Sequence, residues 1–257
     1  MTARAWAVVG SAAGLLAGVL AFAPATWLAG AVAAATDRQL LLADARGSIW
    51  SGSARPVLTG GPDSRDAAVL PGRLSWSLQL NAGGIEVLAR QDCCLADTLR
   101  LQLHPGLGRL RVSMGPSGGA IGQWPLAWLA GLGTPWNTMQ LTGRAQLTSP
   151  GLGFESVQGR WRLSGAAEFE LHDVASRLSQ LAPLGSYRVS LRGGDITTLT
   201  LATVDGPLLL SARGEWAATG LRLRGEARAA AGAEAALGNL LNIIGRRSGA
   251  LSIISIG

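Results

Sequence analysis

Lysine is absent from the chain: all 22 basic side chains are arginine. A phosphate-binding loop of the GxxxxGK[ST] type is therefore excluded, as are Schiff-base and Ser-Lys mechanisms, because each needs the amine of a lysine. Histidine is almost absent too. His104 and His172 stand alone on the polar sides of their strands, beside Pro105 and Asp173, without the HExxH spacing that builds a metal shell. Solvated or capping roles suit them, and neither a metal nor another cofactor is expected. Charged residues make up only 15% of the chain against 48% hydrophobic, and the formal net charge is +6. The arginines are scattered at alternating strand positions. A nucleic-acid footprint would gather them on one face with interleaved aromatics, so nucleic acid is not an expected partner. The two cysteines, Cys93 and Cys94, are adjacent, which excludes the CxxC spacing of zinc sites and thiol exchange. A vicinal disulfide, pairing between chains and a reduced buried pair all stay open.

What the chain has in quantity is apolar sequence of two different kinds. From Ala5 to Thr36 no residue is charged, and Trp6 to Leu28 is almost wholly Ala, Val, Leu, Gly, Phe and Trp. About 20 such residues suffice to cross a bilayer core as a helix. The run predicts one transmembrane anchor over residues 5–36, with Trp6 and Trp27 near its ends. Arg4 on the short side places residues 1–4 in the cytoplasm and residues 37–257 in the periplasm. A cleaved signal peptide is the rival reading, supported by Ala33-Ala34-Ala35 before Thr36-Asp37 but opposed by the length of the apolar run.

After Asp37 the pattern changes to two-residue alternation. Leu74, Trp76, Leu78 and Leu80 share one strand face with polar residues between them. Leu99-Leu101-Leu103, Leu110-Val112-Met114, Ala167-Phe169-Leu171, Tyr187-Val189-Leu191 and Leu221-Leu223-Gly225-Ala227 repeat the pattern. In the last of these, Arg222, Arg224, Glu226 and Arg228 make the opposite face wholly charged. Gly-, Asn- and Asp-rich turns such as Asn81-Ala82-Gly83-Gly84 and Arg192-Gly193-Gly194-Asp195 separate the segments, as in an antiparallel meander.

Three stretches carry helical spacing. Trp124, Trp128 and Leu132 recur at four-residue intervals around Pro125. Asp173 suits the N-cap of a helix over Val174 to Ala182, with Val174, Leu178 and Leu181 on one stripe. Leu237, Leu240, Leu241 and Ile244 form an apolar face ending at Gly245-Arg246-Arg247, and a final strand is expected over Leu251 to Ile256. The expected fold is mainly β: an anchor followed by a curved antiparallel sheet, as a sandwich or an open groove, with a few short helices.

Gly115-Pro116-Ser117-Gly118-Gly119 matches the GxSxG form of a nucleophile elbow. The elbow needs a helix straight after it, and Ala120-Ile121-Gly122 is a poor helix start; no Asp separates Ser117 from His172. A Gly-rich turn is the better reading, and no catalytic residue is assigned. The Trp124 and Trp128 pair suits a core helix over the sheet more than a membrane or partner anchor.

Several segments, in order, carry a likeness. They are Ala45-Arg46-Gly47-Ser48-Ile49-Trp50-Ser51-Gly52-Ser53-Ala54, Leu74-Ser75-Trp76-Ser77-Leu78, Pro183-Leu184-Gly185-Ser186-Tyr187-Arg188, Gly206-Pro207-Leu208-Leu209-Leu210, Gly214-Glu215-Trp216 and Gly225-Glu226-Ala227. With the anchor and the final helix they make the chain resemble the type II secretion system protein N family. The resemblance implies an accessory inner-membrane component of the machine that exports folded proteins from the periplasm across the outer membrane. Its partners would be other secretion-system components, and the family offers no catalytic residues to transfer. The Gly-x-Ala strand starts Gly52-Ser53-Ala54, Gly143-Arg144-Ala145 and Gly225-Glu226-Ala227 also resemble AsmA-like envelope proteins. That wider likeness implies a lipid-binding or lipid-transfer module, with lipid in an apolar groove.

Overall fold

A computed structural model of the chain describes residues 3–158, 160–217 and 220–257. The N-terminal apolar run forms two helices, α1 (Ala3–Ala21) and α2 (Ala25–Ala35), in place of the single one expected over 5–36. Pro24 separates them in an extended conformation, φ −72° and ψ 154°. A proline ring removes an N–H and clashes with the carbonyl four residues back, so the helix stops before it. The break is tied to the sheet: the Ile49 amide donates to the Ala23 carbonyl at 2.9 Å, and the Trp50 indole N–H to the Leu20 carbonyl at 2.9 Å. Among the described residues no helix is long and apolar enough to cross a membrane.

The strands are β1 (Leu40–Gly47), β2 (Ser51–Thr59), β3 (Ala67–Val69), β4 (Leu74–Asn81), β5 (Gly84–Gln91), β6 (Leu99–Gly106), β7 (Arg109–Met114) and β8 (Ala120–Pro125). A 3₁₀ helix (Leu126–Leu132) and α3 (Trp136–Met139) follow. Then come β9 (Leu141–Val157), β10 (Arg160–Ser176), β11 (Gly185–Arg192), β12 (Thr197–Asp205), β13 (Leu208–Ala217) and β14 (Gly220–Ala229). Helix α4 (Glu234–Ile244), β15 (Arg246–Ser248) and β16 (Leu251–Ile256) end the chain. All 16 strands join one sheet in the order β1-β2-β4-β5-β6-β7-β9-β10-β11-β12-β13-β14-β16-β15, with β3 added to β2 and β8 to β9. Every named ladder is antiparallel. The sheet stays open, with β1 and β15 at its two ends, so the sandwich alternative is not realised.

Register keeps the alternating residues on one side. Leu78 faces Val87, Val87 faces Leu101, Leu101 faces Met114 and Met114 faces Leu152. Farther on, Phe169 faces Val189, Val189 faces Leu201 and Leu201 faces Ala212. Directly opposed side chains lie on the same face, so the individual alternations merge into one apolar face.

Short helical segments cover that face at three places. Ala25, Leu28, Ala29 and Val32 of α2 pack on Leu42, Ala54 and Trp76. Leu126 and Leu129 of the 3₁₀ helix pack with Val174 and Tyr187. Leu237, Leu240 and Leu241 of α4 pack on Leu184, Leu208 and Ala227.

Three helix expectations need correction. Val174 to Ala182 forms no helix. Strand β10 continues through Ser176, and a bulge at Asp173, φ +53°, turns its carboxylate to the Arg144 guanidinium at 3.1 Å. Pairing of Ala175 and Ser176 with β9 satisfies backbone groups that a helix N-terminus would have left open. Trp124 lies in strand β8 opposite Ala145, and the turn begins only after Pro125. Arg246-Arg247 lies in edge strand β15 instead of closing helix α4.

Candidate interaction surface

The middle of the apolar face is covered by no helix of the three clusters. Leu101, Leu103, Val112, Met114, Leu152, Leu163, Leu191 and Leu199 are only half-buried there. Phe154 and Trp161 stack on this face with ring centroids 4.5 Å apart, and Trp161 is 56% exposed. Contiguous exposed apolar surface is a feature of protein, membrane and ligand interaction sites. Helix α1 is a second such surface. Its Trp6, Val8, Val9, Leu15, Leu16 and Val19 are all exposed, and Phe22 just beyond it reaches 85% exposure.

The opposite face is polar and, across the middle strands, charge-paired. Arg109 and Arg111 of β7 reach Glu155 of β9 at 3.4 and 3.1 Å. Arg188 of β11 holds Glu168 at 2.9 Å and Glu170 at 2.7 Å. The hydrogen bond from Arg188 holds the Glu170 carboxyl below its usual range. At the β1 end Arg73 donates to the Asp44 carboxylate at 2.6 Å, and Arg46 adds a contact at 3.0 Å. These hydrogen bonds, Arg73's first, lower the Asp44 pKa.

None of the residues with a chemical motif converges on a reactive arrangement. The Ser117 hydroxyl donates to the Ser149 carbonyl at 2.9 Å and accepts from the Ser149 amide, fastening a loop, and strand β8 follows where an elbow needs a helix. His104 sits on β6 opposite Arg111, and His172 on β10 lies 3.6 Å from Glu170. Among the described residues no group of three or more His, Cys, Asp or Glu is placed to hold a metal ion. Cys93 and Cys94 form a vicinal disulfide in the β5–β6 connection, with Cys94 buried. Trp124 is half-buried in β8, and the Trp128 indole donates to the Ala68 carbonyl at 2.9 Å. A pocket of about 550 Å³ lies between the 3₁₀ helix, α3 and β9, lined among others by Asp66, Asn137, Gln140 and Arg177. Asn137 donates to Asp66 across it at 2.9 Å. Sequence reasoning gave no hint of this pocket, because its walls come from segments far apart in the chain.

Residues 38–253 match the model of the family described as type II secretion system (T2SS), protein N. The chain belongs to that family. The match covers most of the chain, from just before β1 into β16, and so includes the whole succession of strands that builds the open face. Protein N is a component of the type II secretion system and not a known enzyme family. No curated protein and no solved structure matched the chain.

Proposed function

We propose that this chain is an accessory component of the type II secretion system held at the inner membrane, with its sheet in the periplasm and residues 1–4 in the cytoplasm. Family membership over residues 38–253 carries the secretion role. The membrane placement rests on α1, whose apolar side chains are exposed along its length and stay out of water only in lipid or against a partner. Deletion of the gene followed by assay of exported proteins tests the role. Secretion is expected to fall and to return with the full chain, and normal export with altered envelope lipids would overturn the proposal. Alkaline carbonate extraction tests the placement: the full chain is expected to stay with the membrane pellet, and its release would refute attachment through α1.

A second reading, lipid binding, is favoured by the uncovered middle of the apolar face. Native mass spectrometry of the purified chain is its test. Bound phospholipid or acyl chain supports it, and a lipid-free chain that still captures other secretion-system proteins refutes it.

A further inference from the structure

We infer that the polar face at the far end of the sheet, strands β13, β14, β16 and β15 in that order, is a docking surface for an acidic segment of another protein. Arg213 projects from β13, Arg222, Arg224 and Arg228 from β14, and Arg246 from β15, all exposed. Arg213 stands directly across the ladder from Arg224. Opposed like charges destabilise a sheet, so the fold itself gains nothing from this pair. Glu215 opposite Arg222 and Glu226 between Arg224 and Arg228 are its acidic members, leaving three positive charges in excess. Among the described residues none of the five arginines forms an ion pair; on the preceding strands Arg100, Arg109, Arg111, Arg144, Arg162 and Arg188 do, while Arg90, Arg160 and Arg192 stand unpaired but apart from one another. The same polar face therefore carries most of its ion pairs across its middle and a cluster of unpaired arginines at its far end.

The spacing narrows the occupant. Successive outward residues on β14 are about 6.8 Å apart along the strand and about 4.8 Å from the next strand. Arg222 and Arg224, with Arg213 beside Arg224, match carboxylates carried on alternate residues of an extended acidic chain, each fork able to take a carboxylate in bidentate fashion. An anionic membrane would offer phosphates instead, but the patch lies at the other end of the sheet from α1. Counted along the strand order, β13 and β14 are ten and eleven ladder steps from β1. At about 4.8 Å per step this is roughly 50 Å of sheet, several Debye lengths from the membrane that α1 would occupy. The inference rests on the proposed placement only in this choice between protein and lipid.

The test uses the full chain in phosphatidylcholine nanodiscs and a fluorescent poly-glutamate peptide as the probe. Binding is expected at low ionic strength and should weaken steeply with added salt. R213Q/R224Q and R222Q/R228Q are each expected to weaken it about tenfold, and the control R100Q/R144Q less than about twofold. R213Q/R224Q should melt at or above the wild-type temperature, because it relieves the opposed pair. Absence of peptide binding, equal loss in the control variant, a lower melting temperature of R213Q/R224Q, or tighter binding to phosphatidylglycerol vesicles than to the peptide would each overturn the inference. These readouts concern the purified chain, so they stand apart from the outcome of the secretion assay.

Discussion

Single residues explain why the Gly-x-Ala triplets recur. A side chain at Gly52 would meet the Trp76 ring and the Arg46 carbonyl at 2.6 Å, and two residues on Ala54 is fully buried. Gly225 is crowded in the same way by Ala212, and Ala227 is again fully buried. Gly52 near the start of β2 and Gly225 in the middle of β14 are thus close backbone approaches, each followed by a small core residue, which any open sheet with packed helices could need. G52A is expected to lower the melting temperature measurably, since both neighbours must move; an unchanged melt would show that the Trp76 ring yields freely. Tyr187, the only tyrosine, is 2% exposed, with its hydroxyl 3.2 Å from the Leu184 carbonyl and 3.1 Å from the Leu208 carbonyl. Burial raises its pKa above the ordinary 10.0. A raised folded value stabilises the protein below the unfolded pKa, and that contribution is lost as pH climbs past about 10. Y187F is expected to cost about 1 kcal/mol at neutral pH and to flatten the fall in stability at alkaline pH, as read by denaturant melts. Asp44 has the opposite sign. Its lowered pKa stabilises the fold above the ordinary 3.8, and that contribution fades as pH falls below it, so R73Q should reduce the acid dependence of the melt.

At the scale of elements, the helices act as local covers over the sheet and each can be challenged alone. Leu237 of α4 is fully buried, and Ser252 of β16 donates to the Leu241 carbonyl. L237A is expected to cost about 2–5 kcal/mol and to free α4 before the rest of the sheet, visible as early amide exchange in residues 234–244. The vicinal disulfide contrasts with this. It joins neighbours in sequence, so it closes almost no loop and constrains the unfolded chain little. C93S/C94S should shift stability by no more than about 1 kcal/mol in urea titration, and a larger loss would assign the pair a packing role.

The whole molecule divides at Pro24. Helix α1 contributes no residue to the three packed clusters, whereas α2 supplies Ala25, Leu28, Ala29 and Val32 to one of them. Removing residues 1–22 is expected to leave a chain with a cooperative melt, and removing residues 1–35 to expose β1, β2 and β4 and lose that cooperativity. Circular dichroism melts of the two truncations decide this, and equal behaviour would refute the division. The alternation at Leu74 to Leu80, Leu99 to Leu103 and Leu221 to Ala227 made the strands, their meander and their one apolar face legible in advance. The period of two is written into each strand and needs no distant partner. The stripe at Val174, Leu178 and Leu181 misled because three apolar residues at helical spacing fit a strand end and a turn equally well; long-range pairing with β9 chose the strand. The apolar run of residues 5–36 was legible as lipid-like composition, but its break was not, because the bonds from Ile49 and Trp50 that hold it come from the next hairpin. By itself, then, the sequence determined an antiparallel β chain with an apolar N-terminus. Only the tertiary structure decided that the sheet stays open, which part of its face the helices leave bare and which arginines go unpaired, because those depend on the meeting of segments that no local pattern encodes.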